Sequence, residues 1–496
     1  MKKVLIVGAG PGGLGAGMIL SNNGYEVELF ERGNEVGGRN NNITLGEYKF
    51  DIGPTFLIYM KAMNDIFELA GKKVEDYLDV INIDPLYKLS YADGKEFYPR
   101  TKIQDTYDEI AKVFPGEQDN YMRFLDIEGK KFEAMIPCLE VPYSNFGAFF
   151  KKRFLKALPR LDLFNSLEDR LASYFKDEDL KISMAFQAKY IGMSPWKCPA
   201  AFTILSYFEH KFGIHHVKGG LNQISKAMAK VVKENGGNVN LNTTVKNIIV
   251  ENGVAKGVEL ENGEKVYGDY VIVNADFAYA MSNLVDNSAR KKYTDEKLKA
   301  KEYSCSTFMI YLGLDKKYEN LNHHNIIFNK EYKKYVDKIT KNQDVSDDFS
   351  FYVHNPSLID DTLAPKGESA LYILIPTPNN LCGINWDERK EKIENRVYEI
   401  IKERFGIDDI KEHTKEKLII TPNDWENKFN IYNGATFNLS HKISQMLYFR
   451  PHNEFEDIKN MYLVGGGTHP GSGLPTIYES AKISSEMIIG RDKKND

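Results

Sequence analysis

Gly8, Gly10 and Gly13, followed by an acid at Glu31, have the residue types and the spacing to hold a dinucleotide. Gly8 permits a tight turn out of a strand. Gly10 lets the backbone approach a pyrophosphate, and Gly13 lets the next helix close on the strand. The helix N-terminus offers unpaired N–H groups and the positive end of its dipole to the phosphates. Ala9 and Gly12 complete the turn. Glu31 can accept from both ribose hydroxyls, and it repels a 2′-phosphate.

The chain continues Glu31-Arg32-Gly33-Asn34-Glu35-Val36-Gly37-Gly38-Arg39. Gly37-Gly38 lets a second stretch of backbone lie on the cofactor, and Arg39 can reach its phosphates. Phe50-Asp51-Ile52-Gly53-Pro54-Thr55 is another tight turn after a strand-like run. A nicotinamide dehydrogenase needs none of these additions. A flavin dinucleotide clamped along its length does, so the expected cofactor is FAD.

A third Gly-rich run, Gly465-Gly466-Gly467-Thr468-His469-Pro470-Gly471-Ser472-Gly473-Leu474-Pro475, lies near the C-terminus. Strand, loop and helix N-terminus there make a second trap for anions and dipoles. His469 sits in that turn and is the candidate catalytic residue beside the flavin, set against a hydrogen-bonded structural role. His452 and His354 are weaker candidates, and His323-His324 reads as a solvated loop. There is no Ser/His/Asp elbow and no metal-ligand spacing, so no metal is expected. Cys138, Cys198, Cys305 and Cys382 are far apart, without a CxxC pair, and read as reduced, buried thiols of a cytosolic protein.

The elements that must position these residues follow from apolar pattern. Val4 to Val7 is a buried parallel strand, Leu14 to Asn23 a helix, and Glu26 to Phe30 a second strand. Gly219-Gly220 precedes an amphipathic helix from Leu221 to Asn235, which Gly236-Gly237 stops. Val239 to Val245 reads as a strand, and Asn252-Gly253 and Asn262-Gly263 as hairpin turns. Tyr270 to Val273 is a strand ending at Asn274-Ala275-Asp276. Met461 to Val464 is another, followed by a helix from Thr476 to Ile489 with Pro475 in its first turn. The nucleotide domain is therefore built from the start, middle and end of the chain. Lys2 and Lys3 before an uncharged segment imitate a secretion signal. That segment is interrupted by Gly8, Gly10, Gly12, Gly13, Gly15, Gly17 and Gly24 and reads as core structure.

The 496 residues allow two or three domains. A net charge of −5 makes no case for nucleic acid. No apolar stretch is long enough for a spanning helix. Val141 to Leu167 reads as a basic, aromatic helix. Phe146, Phe149, Phe150, Phe154 and Leu155 lie among Lys151, Lys152, Arg153, Lys156 and Arg160. Such a helix can lie in a lipid headgroup plane. The expected location is cytoplasmic, peripherally associated with a membrane surface.

Together these pieces resemble the bacterial phytoene desaturase family of carotenoid-forming flavoenzymes. The matches are Gly8 to Gly13 with Glu31, Gly37-Gly38-Arg39, Asp51 to Thr55, Lys218-Gly219-Gly220 and Asn274-Ala275-Asp276. Phe449-Arg450-Pro451-His452-Asn453 and Tyr462 to Gly471 are the more specific runs. The resemblance spans about Lys2 to Gly490. Two positions depart from it: Val217-Lys218 stands where the family has Pro-Arg, and Thr476 where it has Gly.

The resemblance implies an α/β fold: a discontinuous Rossmann-like FAD-binding domain, an antiparallel-sheet substrate domain and a helical lid. The FAD parts would be 1–75, 213–300 and 446–496, the substrate parts 76–130 and 301–445, and the membrane-facing lid 131–212. It places FAD contacts at Gly8, Ala9, Gly10, Gly12, Gly13, Glu31, Arg32, Gly38, Arg39, Gly53, Pro54, Thr55 and Asp276. Val245 would meet the adenine edge, and Gly466, Gly467, Gly473, Leu474 and Pro475 would border the ribityl chain and ring. No cysteine follows Cys382, so a thioether-linked flavin is excluded and dissociable FAD is expected. The flavin would take hydride from an allylic carbon of a hydrophobic polyene, and proton loss would complete a double bond. Isomerisation of a carotenoid, saturation of a polyprenyl chain or amine oxidation are the alternative reactions. A prenyl-protein escort is the non-enzyme alternative, and it predicts an eroded flavin fingerprint.

Overall fold

A computed structural model describes residues 1–162 and 164–495; Leu163 of the basic aromatic stretch and the C-terminal Asp496 lie outside the described residues. Five short parallel strands form the first sheet, in the order Met461–Leu463, Tyr270–Val273, Lys3–Val7, Glu26–Phe30, Asn238–Asn240. The register pairs Val7 with Val273 on one side and with Phe30 on the other. Val4, Leu5 and Ile6 are fully buried, because both faces of this sheet are covered. Helices Pro11–Asn22, Met60–Leu69, Asn222–Glu234 and Leu474–Asn495 cover one face. A meander of strands Val245–Glu251, Val254–Leu260 and Lys265–Tyr267, with helix Phe277–Leu284, covers the other.

The expected strand from Val239 to Val245 is corrected. It is two strands, one in each sheet, joined through Asn242 at φ 51. The chain must leave the parallel sheet for the meander there, and Asn tolerates the left-handed region.

The second sheet has seven strands, in the order Thr414–Ile420, Ser306–Leu314, Ser369–Thr377, Phe351–His354, His324–Ile327, Lys88–Ser90, Glu96–Phe97. It is antiparallel except for one parallel pair, Asn325 with Lys88. One face carries the largest apolar core, shared with helices Tyr332–Thr340 and Trp386–Phe405 and with the helices between 118 and 212. The other face packs on Tyr48, Phe50 and Trp425.

The expected basic helix is also corrected. Residues 146–160 form a 3-10 turn Phe146–Phe150, a short helix Lys152–Ala157 and a second 3-10 turn Leu158–Arg160. Phe154 is buried, whereas Phe150 is 70% and Phe164 99% exposed. Cys138, Cys198 and Cys305 are buried and Cys382 is half-buried.

Candidate active site

The Gly-rich turns meet around one side chain, Asn274, just after the strand Tyr270–Val273, which pairs with the central strand Lys3–Val7. Its backbone N–H donates to the Val7 carbonyl at 2.8 Å, and its Nδ2 donates to the Gly8 carbonyl at 3.1 Å. A Cβ on Gly10 would lie 2.9 Å from Asn274 Nδ2, and one on Gly12 would lie 2.6 Å from Asn274 Oδ1 and 3.0 Å from the Gly465 nitrogen. One on Gly13 would lie 2.2 Å from the Gly8 oxygen. Side chains are therefore excluded where the three segments touch. Gly37 donates to the Ala9 carbonyl at 2.9 Å, which lays Gly38 over Gly10.

Glu31 stands at the end of the second strand and accepts from the Ala9 and Gly33 N–H groups at 2.9 and 2.8 Å. Its oxygens keep further lone pairs for hydroxyl donors. The Thr243 N–H donates to the Glu31 carbonyl at 2.8 Å, which brings Val245 to the same end of the sheet. Arg32 turns away and donates to the Lys428 carbonyl at 2.8 Å. Arg39 reaches Asp276 at 3.4 Å and the Thr436 carbonyl at 3.2 Å. Burial raises the Asp276 pKa, and Arg39 opposes that shift. Asp276 thus orients Arg39 and also caps the helix Phe277–Leu284.

The Gly53 turn is held by the seven-stranded sheet. Tyr311 and Tyr372 donate to the Ile52 and Gly53 carbonyls at 2.7 and 2.8 Å, and Thr55 shares a 2.9 Å hydrogen bond with Tyr352. The side of the clamp behind Gly37 is fixed by Asn222, whose Nδ2 donates to the Val36 and Asn40 carbonyls at 3.1 and 2.8 Å.

Arg450 organises the C-terminal loop. It is fully buried and donates to the Gly466, Thr468 and Gln445 carbonyls at 2.7, 3.1 and 3.2 Å. Ser472 donates its N–H to His441 Nε2 at 3.1 Å. The Thr476 hydroxyl lies 3.0 and 2.9 Å from the Gly471 and Gly473 carbonyls, so a residue that departs from the family pattern braces the loop. Leu474 is buried and Pro475 half-buried at the start of the last helix.

His469 is buried, and its Nε2 lies 3.2 Å from the Leu139 carbonyl. Burial lowers its pKa to about 3, so the ring is neutral and donates to that carbonyl. Tyr143 packs edge-on against it at 4.9 Å.

Gly8, Glu31, Gly38, Arg39, Gly53, Pro54, Gly473 and Pro475 stay at least partly open to solvent, although buried strands and loops flank them. The Thr436 hydroxyl, beside Arg39, is buried with no hydrogen-bond partner among the described residues. A glycine cradle at a helix N-terminus, a ribose-accepting acid and an oriented Arg fit a flavin dinucleotide. Asn274, Asn222 and Arg450 were not singled out from sequence. Asn274 and Arg450 lie inside the runs that carry the family resemblance, and Asn222 follows Gly219-Gly220 directly. The solvated reading of His323-His324 is corrected: both rings are buried, His324 where its strand pairs with His354 in the seven-stranded sheet and His323 just ahead of that strand.

The fold and this site define a flavin-dependent oxidoreductase. The family of flavin containing amine oxidoreductases matches residues 11–489. The chain is 50% identical over 487 residues to a 4,4'-diapophytoene desaturase (4,4'-diapolycopene-forming) of Methylomonas sp, covering 98% of this chain and 95% of that one. It is 34% identical to an all-trans-zeta-carotene desaturase of Myxococcus xanthus, covering 98% and 93%. An oxidoreductase from Methanosarcina mazei superposes with a TM-score of 0.65 at 17% identity, covering 99% and 100%, which shows the shared fold. The chain belongs to the flavin containing amine oxidoreductases and, within them, to the carotenoid desaturases. It is an FAD-dependent enzyme acting on CH–CH bonds.

Proposed function

We propose that the chain desaturates a phytoene-like polyene drawn from a membrane surface, with a C30 substrate of the diapophytoene kind favoured over a C40 one. The observation that carries the reading is the 50% identity, over nearly the whole chain, to a desaturase of that class, together with an intact glycine cradle around Asn274. When bound, FAD supplies the two-electron oxidant for an allylic C–H bond. The protein's part is binding and exclusion of water. Gly8, Ala9, Gly10, Gly12, Gly13, Glu31, Arg39 and Val245 hold the nucleotide end, with Asp276 acting through Arg39. Gly53 to Thr55, Gly466, Gly467 and Gly473 to Pro475 border the reacting end. His469 holds the loop to the lid through Leu139 and is a positioning residue. In this reading the flavin part comprises 1–75, 213–300 and 446–496, the lid 131–212 and the substrate part the remainder.

The lid supports entry from lipid. Phe146 and Phe149 rings lie 5.1 Å apart, Phe149 and Tyr143 5.5 Å, and Tyr143 and His469 4.9 Å. This aromatic line leads from the exposed Phe146 and Phe150 to the loop beside the flavin site. Among the described residues no helix is long and apolar enough to cross a membrane. A surface-bound enzyme with an apolar path inward suits a hydrocarbon dissolved in the bilayer.

Coexpression with a pathway that makes diapophytoene, and separately with one that makes phytoene, tests the reading. Extracts from the first should turn yellow to red with longer conjugated products. Unchanged diapophytoene alongside protein that carries acid-releasable flavin would overturn it and favour the isomerase or saturase reaction.

A further inference from the structure

The most unusual cluster outside the flavin site is three buried histidines contributed by distant segments. His216 lies in the strand His215–Val217, ahead of the Gly219-Gly220 turn. His323 precedes the strand His324–Ile327, and His354 ends the neighbouring strand. One ring nitrogen from each lies within 4.8 Å of those of the other two. His323 Nε2 and His354 Nε2 are 3.0 Å apart.

The hydrogen bonds behind the cluster fix its lone pairs. His216 Nε2 lies 2.8 Å from Asp360 Oδ2. Asp360 also accepts from the Gly219 and Thr362 N–H groups at 2.7 and 3.0 Å and from the Thr362 hydroxyl at 2.6 Å, the surroundings of a carboxylate acceptor. An ionised carboxylate only accepts, so His216 Nε2 carries a proton, and Nδ1 is the ring nitrogen left to face the cluster as a candidate ligand. That Nδ1 is buried with no hydrogen-bond partner among the described residues, and the same holds for His323 Nδ1. Between His323 and His354, one Nε2 can donate and the other must accept. Unpartnered acceptors in a dry interior are costly unless a proton or cation lies among them.

We propose that His216, His323 and His354 bind a divalent first-row transition ion, zinc being the best match. The ion fastens the strand ahead of the Gly219-Gly220 turn to the substrate sheet. Three imidazoles without a thiolate suit zinc and its neighbours, leaving a fourth position for a solvent oxygen. Asp360 behind His216 is the carboxylate that fixes a ligand's tautomer in such centres. The centre adjoins the proposed flavin site through Tyr352, whose ring stacks on His354 at 6.2 Å. Its hydroxyl lies 2.7 Å from His324 Nδ1 and 2.9 Å from Thr55.

The test uses the full-length, tag-free holoenzyme, loaded with Zn2+ or Co2+ and passed through metal-free buffer. Elemental analysis should find about one zinc per chain. Cobalt loading should give tetrahedral d–d absorption on the long-wavelength side of the flavin bands. His216→Ala and His354→Ala should lose both signals while keeping flavin. Should those variants not fold, Asp360→Asn supplies the second measurement. Competition with a chromophoric chelator should show binding about 10- to 100-fold weaker than wild type. Wild-type holoenzyme that retains less than about 0.1 metal per chain and shows no d–d bands overturns the proposal. So do bands that persist in the flavin-containing histidine variants, or an Asp360→Asn affinity equal to wild type.

Discussion

Arg450 shows how one side chain sets the geometry of a loop. It is fully buried, and among the described residues its side-chain hydrogen bonds run to backbone carbonyls of segments 439–445 and 466–468. Burial lowers its pKa to about 10, which leaves it charged at neutral pH. A planar fork satisfies several fixed carbonyls at once, which a lysine cannot do. Glu209 is the opposite case, a buried acid without a cation. It lies in helix Ile204–Phe212 and accepts from Gln187 at 2.8 Å and Tyr87 at 3.1 Å, near neutral His210 and Tyr190. Burial raises its pKa from 4.5 to about 7, and those hydrogen bonds only partly offset the shift. Between those values the folded protein holds more protons than the unfolded one, so stability falls as pH rises. Glu209→Gln removes this loss. Denaturant unfolding at pH 8 should find the variant about 3 kcal/mol more stable, relative to its difference from wild type at pH 4.5. A pH-independent difference would show that Glu209 ionises normally.

At the scale of elements, the stretch from Val141 to Leu167 does more than an interfacial helix would. Its broken turns bury Phe154 and Ala157 against Met135 and Tyr143, while Phe146, Phe150, Leu155 and Phe164 face solvent. Along the chain Phe146 and Phe150 adjoin Lys151, Lys152 and Arg153, the composition that the proposed contact with anionic lipid requires. Sedimentation with anionic vesicles should recover the wild type. Phe150→Ser with Phe164→Ser should weaken binding at least about tenfold. Lys151→Gln, Lys152→Gln and Arg153→Gln together should remove the preference for anionic over neutral vesicles. Wild type that stays in the supernatant with both vesicle types would rule out this surface as the docking site.

At the scale of the whole molecule, the proposed flavin site draws on both ends and the middle of the chain, so in this reading cofactor binding and fold stability are linked. FAD at about a hundred times its Kd should stabilise the protein by about 3 kcal/mol. Hydrogen exchange should then slow together at Gly8–Gly13, Gly38–Arg39 and Gly466–Pro475; protection confined to the first segment would contradict a single shared clamp. The sequence by itself determined the strand–turn–helix units, because glycine placement, apolar period and hairpin dipeptides act between residues close along the chain. It therefore showed which turns could touch a dinucleotide, and the family runs showed the chemistry. Only the tertiary structure decided that Asn274 is the point where those turns meet, and that Arg450 binds carbonyls rather than an acid. It also turned His323 and His354 toward His216, and split the expected strand at Asn242 between two sheets. Each of these depends on which strands become neighbours, a long-range choice that no local period or propensity encodes.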